Sequence, residues 1–439
     1  MTPPPSGPIT SAADLQARIP GQLAATQPDF VVFVPKVSDA GVSDTGNEHF
    51  LAFDGPDGSL MAVWTQSSAE GAPDQHIAFS RSDDEGLSWS EPRLLAGPRR
   101  AGDAPMASWA YPLVSRGGRI YVLYSQHIGS ADTFFHHTGW LDGIYSDDAG
   151  RTWSEPQRVP TRRSTHDNPD PALPPNMLCW QKPLRLGPEG RYLAGFTRWT
   201  SFAAIAPADD FWGSADARVE FMLFENLDDQ PQPRDLQIGW LMPDEAALTV
   251  PYPGFPETSA CQEPSIVKLP DGRLFVVMRT CAGSPFWSLS ADAGLTWTTP
   301  ERLLARDGGQ PLLHPLSPCP IYDVGGNEAG SGHYALFIHN HDGHYQGAGP
   351  RDTHLHRRPV YLVAGHFEPG ARQPVWFDQP RLFMDHDGTG LGRPDGGGGR
   401  LDLALYASLT VRGGQAVLWY PDRKFFLLGR RIGPEWVAR

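Results

Sequence analysis

Ionisable and hydrogen-bonding side chains gather at two recurring positions of this chain. Glu48 and His49, Tyr111, Gln181 and Lys182, Gln262 and Glu263, and Tyr406 stand at the head of short apolar runs. Gln66, Gln126, Arg198, Arg279, and His339 with Asn340 stand at the tail of the run that follows. If consecutive runs pair as antiparallel hairpins, the head of one strand lies beside the tail of its partner. All of these groups then share one end of the hairpins. They supply carboxylates and imidazoles for proton transfer, a phenol, and cations that hold anions or hydroxyls. Strand ends ordinarily carry one or two such groups; a dozen at one topological position marks a candidate site. A solvated rim tied by its own ion pairs is the alternative.

A second concentration is His339, His341, His344, His354, His356 and His366. Imidazoles and carboxylates are ligands for first-row metals, but the spacing matches no zinc motif. A loop whose His and Asp side chains bond sugar hydroxyls is the preferred reading. No metal and no cofactor is expected.

The elements that must position these groups are six hairpins. Six segments run from a turn glycine into apolar residues: Gly58–Trp64, Gly118–Tyr124, Gly190–Phe196, Gly272–Met278, Gly332–Ile338 and Gly414–Tyr420. Each comes after a short segment able to pair with it, beginning near Glu48, Tyr111, Lys182, Glu263, Pro318 and Tyr406. Six units in 439 residues allow about 70 residues each, more than four short strands need. The surplus falls to Pro-rich loops at 167–175, 229–256 and 345–359. Helical periodicity is scarce, whereas 47 Gly and 44 Pro punctuate short strands. Residues 1–29 read as a loose arm, with a short helix near 12–18.

Composition narrows the partners. A net charge of −14 and a pI near 5.5, with no basic stripe, argue against nucleic acid. No stretch of 18 apolar residues is present, so no membrane span is expected. The N-terminus lacks a basic patch followed by an apolar run. The chain is therefore expected to be cytoplasmic, or secreted or periplasmic after loss of a leader. Four cysteines (179, 261, 281 and 319) show no zinc spacing and read as buried thiols, although Cys261 and Cys281 flank one hairpin. The oligomeric state is left open.

An octapeptide recurs three times: Ser82-Asp-Asp-Glu-Gly-Leu-Ser-Trp89, Ser146-Asp-Asp-Ala-Gly-Arg-Thr-Trp153 and Ser290-Ala-Asp-Ala-Gly-Leu-Thr-Trp297. Short polar residues bond their own backbone, the glycine allows positive φ, and the Trp pins the turn to a sheet. This frame resembles the Asp box of the sialidase (neuraminidase) superfamily, whose BNR repeats build β-propellers. The resemblance implies an all-β fold: one six-bladed propeller of four-stranded antiparallel blades over residues 30–439, preceded by the arm 1–29. In a propeller the heads and tails named above ring one central opening.

The resemblance extends to the site. Cys261-Gln-Glu-Pro-Ser…Val-Met-Arg279 is similar to the sialidase segment in which Glu assists a catalytic Tyr and Arg binds a carboxylate; here these are Glu263 and Arg279. Leu405-Tyr-Ala-Ser-Leu409 resembles the segment bearing the nucleophile, which implies that role for Tyr406. A phenol with a pKa near 10 needs a neighbouring base, and Glu263 is the natural one. The sialidase acid sits in a loop before the first Asp box, which implies Glu70, with Asp74 as fallback. At blade one the chain departs from the pattern: Gly46-Asn-Glu-His-Phe50 places Glu48 where the family has the first carboxylate-binding Arg.

The expectation is an exo-acting glycoside hydrolase, with a carbohydrate substrate other than ordinary sialic acid. Arg279, Lys182, Arg198 and His49 would hold the sugar, with Glu48, Tyr111 and His339 in the same ring. An inverting variant would use Glu263 and Glu48 around a water. The alternatives are a propeller lyase on uronate glycans, with His49 or Tyr111 as base, and a non-catalytic sugar-binding propeller.

Overall fold

The computed structural model describes residues 11–37, 44–133, 137–187, 190–325, 330–339, 342, 347, 349–353, 357–392, 400–404 and 406–437. It is an all-β propeller of six blades, mainly four-stranded and antiparallel. The strands arise from alternating and continuous apolar runs too short for helices, each closed by a glycine or Asx turn. Blade one is Gly46–Asp54, Leu60–Ser67, His76–Ser82 and Arg93–Ala96 in spatial order from the axis outward. Blades two and four begin with the inner strands Ala107–Val114 and Gln262–Lys268. In blade three the inner strand is interrupted, with Asn176–Leu178 and Leu184–Arg185 pairing separately with Tyr192–Trp199. Blade five has Ile321–Asp323 innermost, and Arg381–Met384 pairs as an extra strand.

Blade six joins the two ends of the chain. Ser408–Arg412, Gln415–Asp422 and Phe426–Ile432 supply three strands, and Phe30–Phe33 supplies the outermost. The arm before that strand is more ordered than its sequence suggests. A helix spans Ala12–Thr26, capped by Ser11, whose hydroxyl accepts from the Asp14 N–H at 3.1 Å. It buries Leu15 and Ile19 against blades five and six.

The three octapeptides are the turns between third and fourth strands of blades one, two and four. In the first, Asp84 accepts from the Ser88 N–H at 2.8 Å, and Ser82 Oγ accepts from the Gly86 N–H at 2.8 Å. Bonding by the Thr152 hydroxyl and N–H pulls the equivalent Asp148 down to about 2. Each box also touches the blade before it. Trp89 packs edge-on against Trp419 and Trp297 stacks on Phe221, with centroids 5.6 and 4.5 Å apart. Gly86 has φ +87, and a Cβ there would lie 2.6 Å from Trp419. The boxes thus pin neighbouring blades together at the end of the third strands, opposite the heads of the inner strands.

All four cysteines are buried free thiols. No helix among the described residues is long and apolar enough to cross a membrane.

Candidate active site

Three inner strands start with the same irregularity. Pairing breaks register between Glu48 and Leu51, Ser108 and Tyr111, and Gln262 and Ser265. The residue in each break is left-handed: His49 at φ 53, Trp109 at φ 58 and Glu263 at φ 47, with Tyr406 at φ 57 just ahead of its strand. Such backbone is rare outside glycine and costs about 1–3 kcal/mol per residue. A bulge of this kind re-aims one side chain out of the strand's alternation. Hydrogen bonds between blades hold the strained backbone. The Trp109 N–H donates to Thr65 Oγ1 at 3.1 Å, the Glu263 N–H to Thr197 Oγ1 at 2.7 Å, and the Phe50 N–H to the Tyr406 carbonyl at 3.2 Å.

The four re-aimed side chains converge. The Tyr406 ring lies 4.5 Å from His49, 5.2 Å from Trp109 and 5.8 Å from Trp180, centroid to centroid. Its hydroxyl donates to Glu263 Oε1 at 3.0 Å. The same oxygen takes Arg279 Nη1 at 2.7 Å. Burial, then the Glu263 charge, push the phenol well above its usual range, while Arg279 and Arg357 pull it back. Tyr406 therefore keeps its proton until a base removes it. Glu263 Oε2 and Arg279 Nε and Nη2 are buried without a hydrogen-bond partner among the described residues. That leaves acceptor and donor capacity beside the phenol.

A second cluster adjoins the first. Lys424 Nζ sits 5.4 Å from the Tyr406 ring centre and bridges Glu48 Oε2 at 3.0 Å and Glu70 Oε1 at 2.7 Å. Gln75 Nε2 donates to the other Glu48 oxygen at 3.0 Å. Arg400 Nη2 holds Glu70 Oε2 at 2.6 Å and approaches Asp402 through Nη1 at 3.6 Å; Asp402 also faces Arg357 at 3.8 Å. Loss of water pushes the Glu48 carboxyl up to about 7, against the pull of Lys424 and with the push of Glu70. The four cations Arg279, Arg357, Arg400 and Lys424 each face at least one of the carboxylates Glu263, Asp402, Glu70 and Glu48.

Of the side chains singled out in the sequence, the structure brings together Tyr406, Glu263, Arg279, His49, Glu48 and Glu70. Five others lie elsewhere. Lys182 falls in the interrupted inner strand of blade three, well past its head. Its amine donates to the carbonyls of Ala52 at 2.8 Å and Leu409 at 2.7 Å, and it lines a cavity of about 220 Å³ with Lys268 and Asp323, at the opposite end of the channel. Arg198 is fully buried between Asp167 at 2.7 Å and Glu220 at 2.8 Å. Tyr111 is buried in the packing between blades two and three. His339 lies behind the site, donating through Nε2 to the Leu403 carbonyl at 2.7 Å and accepting from Ser317 Oγ at 2.9 Å; burial drives it down to about 4. Asp74 caps its own loop, accepting from the Ser68 N–H at 3.1 Å.

Asn340, His341, His344, His354 and His356 lie outside the described residues. Among the described residues no group of three His, Cys, Asp or Glu could hold a metal.

The residues that sequence reasoning missed are Lys424, Arg400, Asp402 and Trp109; Arg357 stands where the resemblance puts a third Arg, on a poor sequence match. Lys424 had a usable signal: it lies two residues past the second strand of blade six, at the same end of the hairpin as Arg279, the last residue of the second strand of blade four.

The sequence model of the BNR repeat-like domain family matches residues 58–310. No curated protein matches the sequence. Among solved structures, the NanB sialidase K499G mutant of Streptococcus pneumoniae superposes with a TM-score of 0.59 at 11% identity, over 94% of this chain and 71% of that one. The intramolecular trans-sialidase of Ruminococcus gnavus, in complex with oseltamivir carboxylate, gives 0.57 at 13% identity, over 92% and 98%. The α-L-arabinanase of Penicillium chrysogenum, complexed with arabinobiose, gives 0.55 at 14% identity, over 94% and 99%. At these identities the likeness is one of fold.

Proposed function

The chain belongs to the BNR repeat-like domain family, and from that premise we propose that it is an exo-acting glycoside hydrolase whose sugar is neutral rather than an ordinary sialic acid. The observation that carries the reading is the Tyr406 hydroxyl on Glu263 at 3.0 Å with Arg279 on the same carboxylate. Glu263 takes the phenolic proton as the oxygen of Tyr406 attacks the anomeric carbon. The glycosidic C–O bond breaks, and its oxygen receives a proton from the Glu48–Glu70 pair. Glu70 lies between two cations that favour its ionised form, so Glu48, pushed up to about 7, is the member that carries the proton. In the second step water attacks the same carbon and gives a proton back to that pair. The Tyr406–carbon bond breaks, and Glu263 returns the phenolic proton.

Charge argues for a neutral sugar. A substrate carboxylate would find each nearby cation already facing a carboxyl group of the protein. The test is a panel of glycosides of neutral sugars and of sialic acid, assayed with the wild type and with Tyr406→Phe. Turnover of a neutral glycoside that Tyr406→Phe abolishes is expected. Preference for sialosides, or an unsaturated product absorbing in the ultraviolet, would overturn the reading.

A further inference from the structure

The segment 200–216, between the second and third strands of blade three, carries a tryptophan to the edge of the site. Trp212 is 39% exposed, and the Arg279 guanidinium lies 5.4 Å over its ring centre. A single exposed aromatic is ordinary on a protein surface. This one is held in place by a built loop. Asp209 is the hub: it accepts from the Phe211 N–H at 2.9 Å, from the Tyr252 hydroxyl at 2.9 Å, and from Arg351 at 3.2 Å, and its N–H donates to Ser214 Oγ at 3.1 Å. Next to Trp212, Gly213 presses against the protein so closely that a Cβ would lie 2.5 Å from Phe211 and 2.7 Å from Leu316. A rigid aromatic of this kind loses little conformational freedom when something stacks on it.

We propose that Trp212 is the platform for the sugar on the leaving-group side of the scissile bond, so that the enzyme acts on neutral oligosaccharides rather than small conjugates. The proposal rests on the hydrolase reading for the position of that bond. The two faces on offer set the chemistry of the ligand. The indole presents an apolar plane that suits the C–H face of a sugar ring. Beside it, Arg279 Nε and Nη2 lack a hydrogen-bond partner among the described residues and can donate to ring hydroxyls. Tyr406 and Glu263 are 5% and 2% exposed, so the sugar they attack is enclosed, whereas Trp212, beside Arg279, is open to solvent and available to the next sugar along the chain.

The test compares Trp212→Ala with the wild type on arabinotriose, mannotriose and xylotriose, and on the matching glycosyl fluorides, whose leaving group is too small to reach the indole. The ratio of kcat/KM for trisaccharide to that for fluoride is expected to fall about tenfold, with Trp212→Phe recovering most of it. An unchanged ratio, including equal losses on both substrates through a displaced Arg279, overturns the platform. Calorimetric titration of the same trisaccharides separates this from failure of the hydrolase reading. If nothing is turned over but the wild type binds a trisaccharide and Trp212→Ala weakens it about tenfold, the platform stands and the hydrolysis falls. If the wild type neither binds nor cleaves any of the three, both fall.

Discussion

Replacing Lys424 by Met is the sharpest probe of the charge cluster. The ammonium is almost fully buried and bridges Glu48 and Glu70 at 3.0 and 2.7 Å. Removing one member of a buried ion pair costs about 3–5 kcal/mol, because the charge left behind has lost both water and partner. With an unfolding entropy of about 2.1 cal/mol/K per residue, 439 residues give about 0.9 kcal/mol/K, so Tm falls by about 4 °C. The pH dependence identifies the cause. Glu48 titrates near 7 in the folded wild type against 4.5 unfolded, and losing the ammonium raises the folded value further. Below that window Glu48 is protonated with or without Lys424, so its share of the loss vanishes. Above it, the variant must either bury an unpaired anion or keep the proton at a cost. The Tm deficit is therefore expected to be about 4 °C at pH 8 and about half that at pH 5.5. Adding Glu48→Gln should return most of the difference at pH 8. Scanning calorimetry at the two pH values decides it. A deficit equal at both, with no rescue by Glu48→Gln, would refute the assignment of the buried charge to Glu48.

Other perturbations read other parts of the molecule. Tyr406→Phe removes one hydrogen bond and almost no volume; turnover should drop by at least about a hundredfold while Tm moves by about 1 °C, and near-full turnover would remove Tyr406 from the chemistry. Glu48→Gln alone should be less sensitive to alkali than the wild type. A carboxyl whose pKa is raised on folding stabilises most at low pH, and that contribution is lost as pH rises from 4.5 through about 7; parallel Tm curves over that range would contradict this. Gly86→Ala places a methyl 2.6 Å from Trp419 at φ +87, so thermal unfolding should move down by about 2 °C or more with kcat unchanged.

Much of this architecture is readable from residues because the governing signals are local. The octapeptide is a self-bonded turn, and the six glycine-led runs are strands whose order along the chain is their order around the axis. The rule that strand heads and following tails share one end collected Glu48, His49, Glu263, Arg279 and Tyr406 correctly for place. It misplaced Lys182 because blade three splits its inner strand, which nothing in Gln181-Lys182-Pro183 announces. It missed Lys424 because the glycine-led apolar run ends at Tyr420, whereas the strand runs to Asp422 and turns through Arg423 and Lys424, both left-handed. Non-glycine residues in such a turn carry no sequence mark of their strain. Arg198 shows the opposite failure. Its position was right, but the chain alternates, and its side chain faces the packing with Asp167 and Glu220 rather than the axis. Arg400 comes from an irregular segment between blades five and six, where no periodicity exists to be read.

The outermost strand of blade six, Phe30–Phe33, is translated long before its partner Phe426–Ile432. The same seam runs through the candidate site. The Asn47 N–H reaches the Lys424 carbonyl at 2.7 Å, the Phe50 N–H the Tyr406 carbonyl, and the Ala52 N–H the Ser408 hydroxyl at 2.8 Å. Glu48 and His49 thus wait, through the translation of more than 350 residues, for the segment that positions them. A nascent chain that has reached the end of blade five contains Glu263 and Arg279 but no Tyr406 to pair with them. Closure of the ring and assembly of the site are one event.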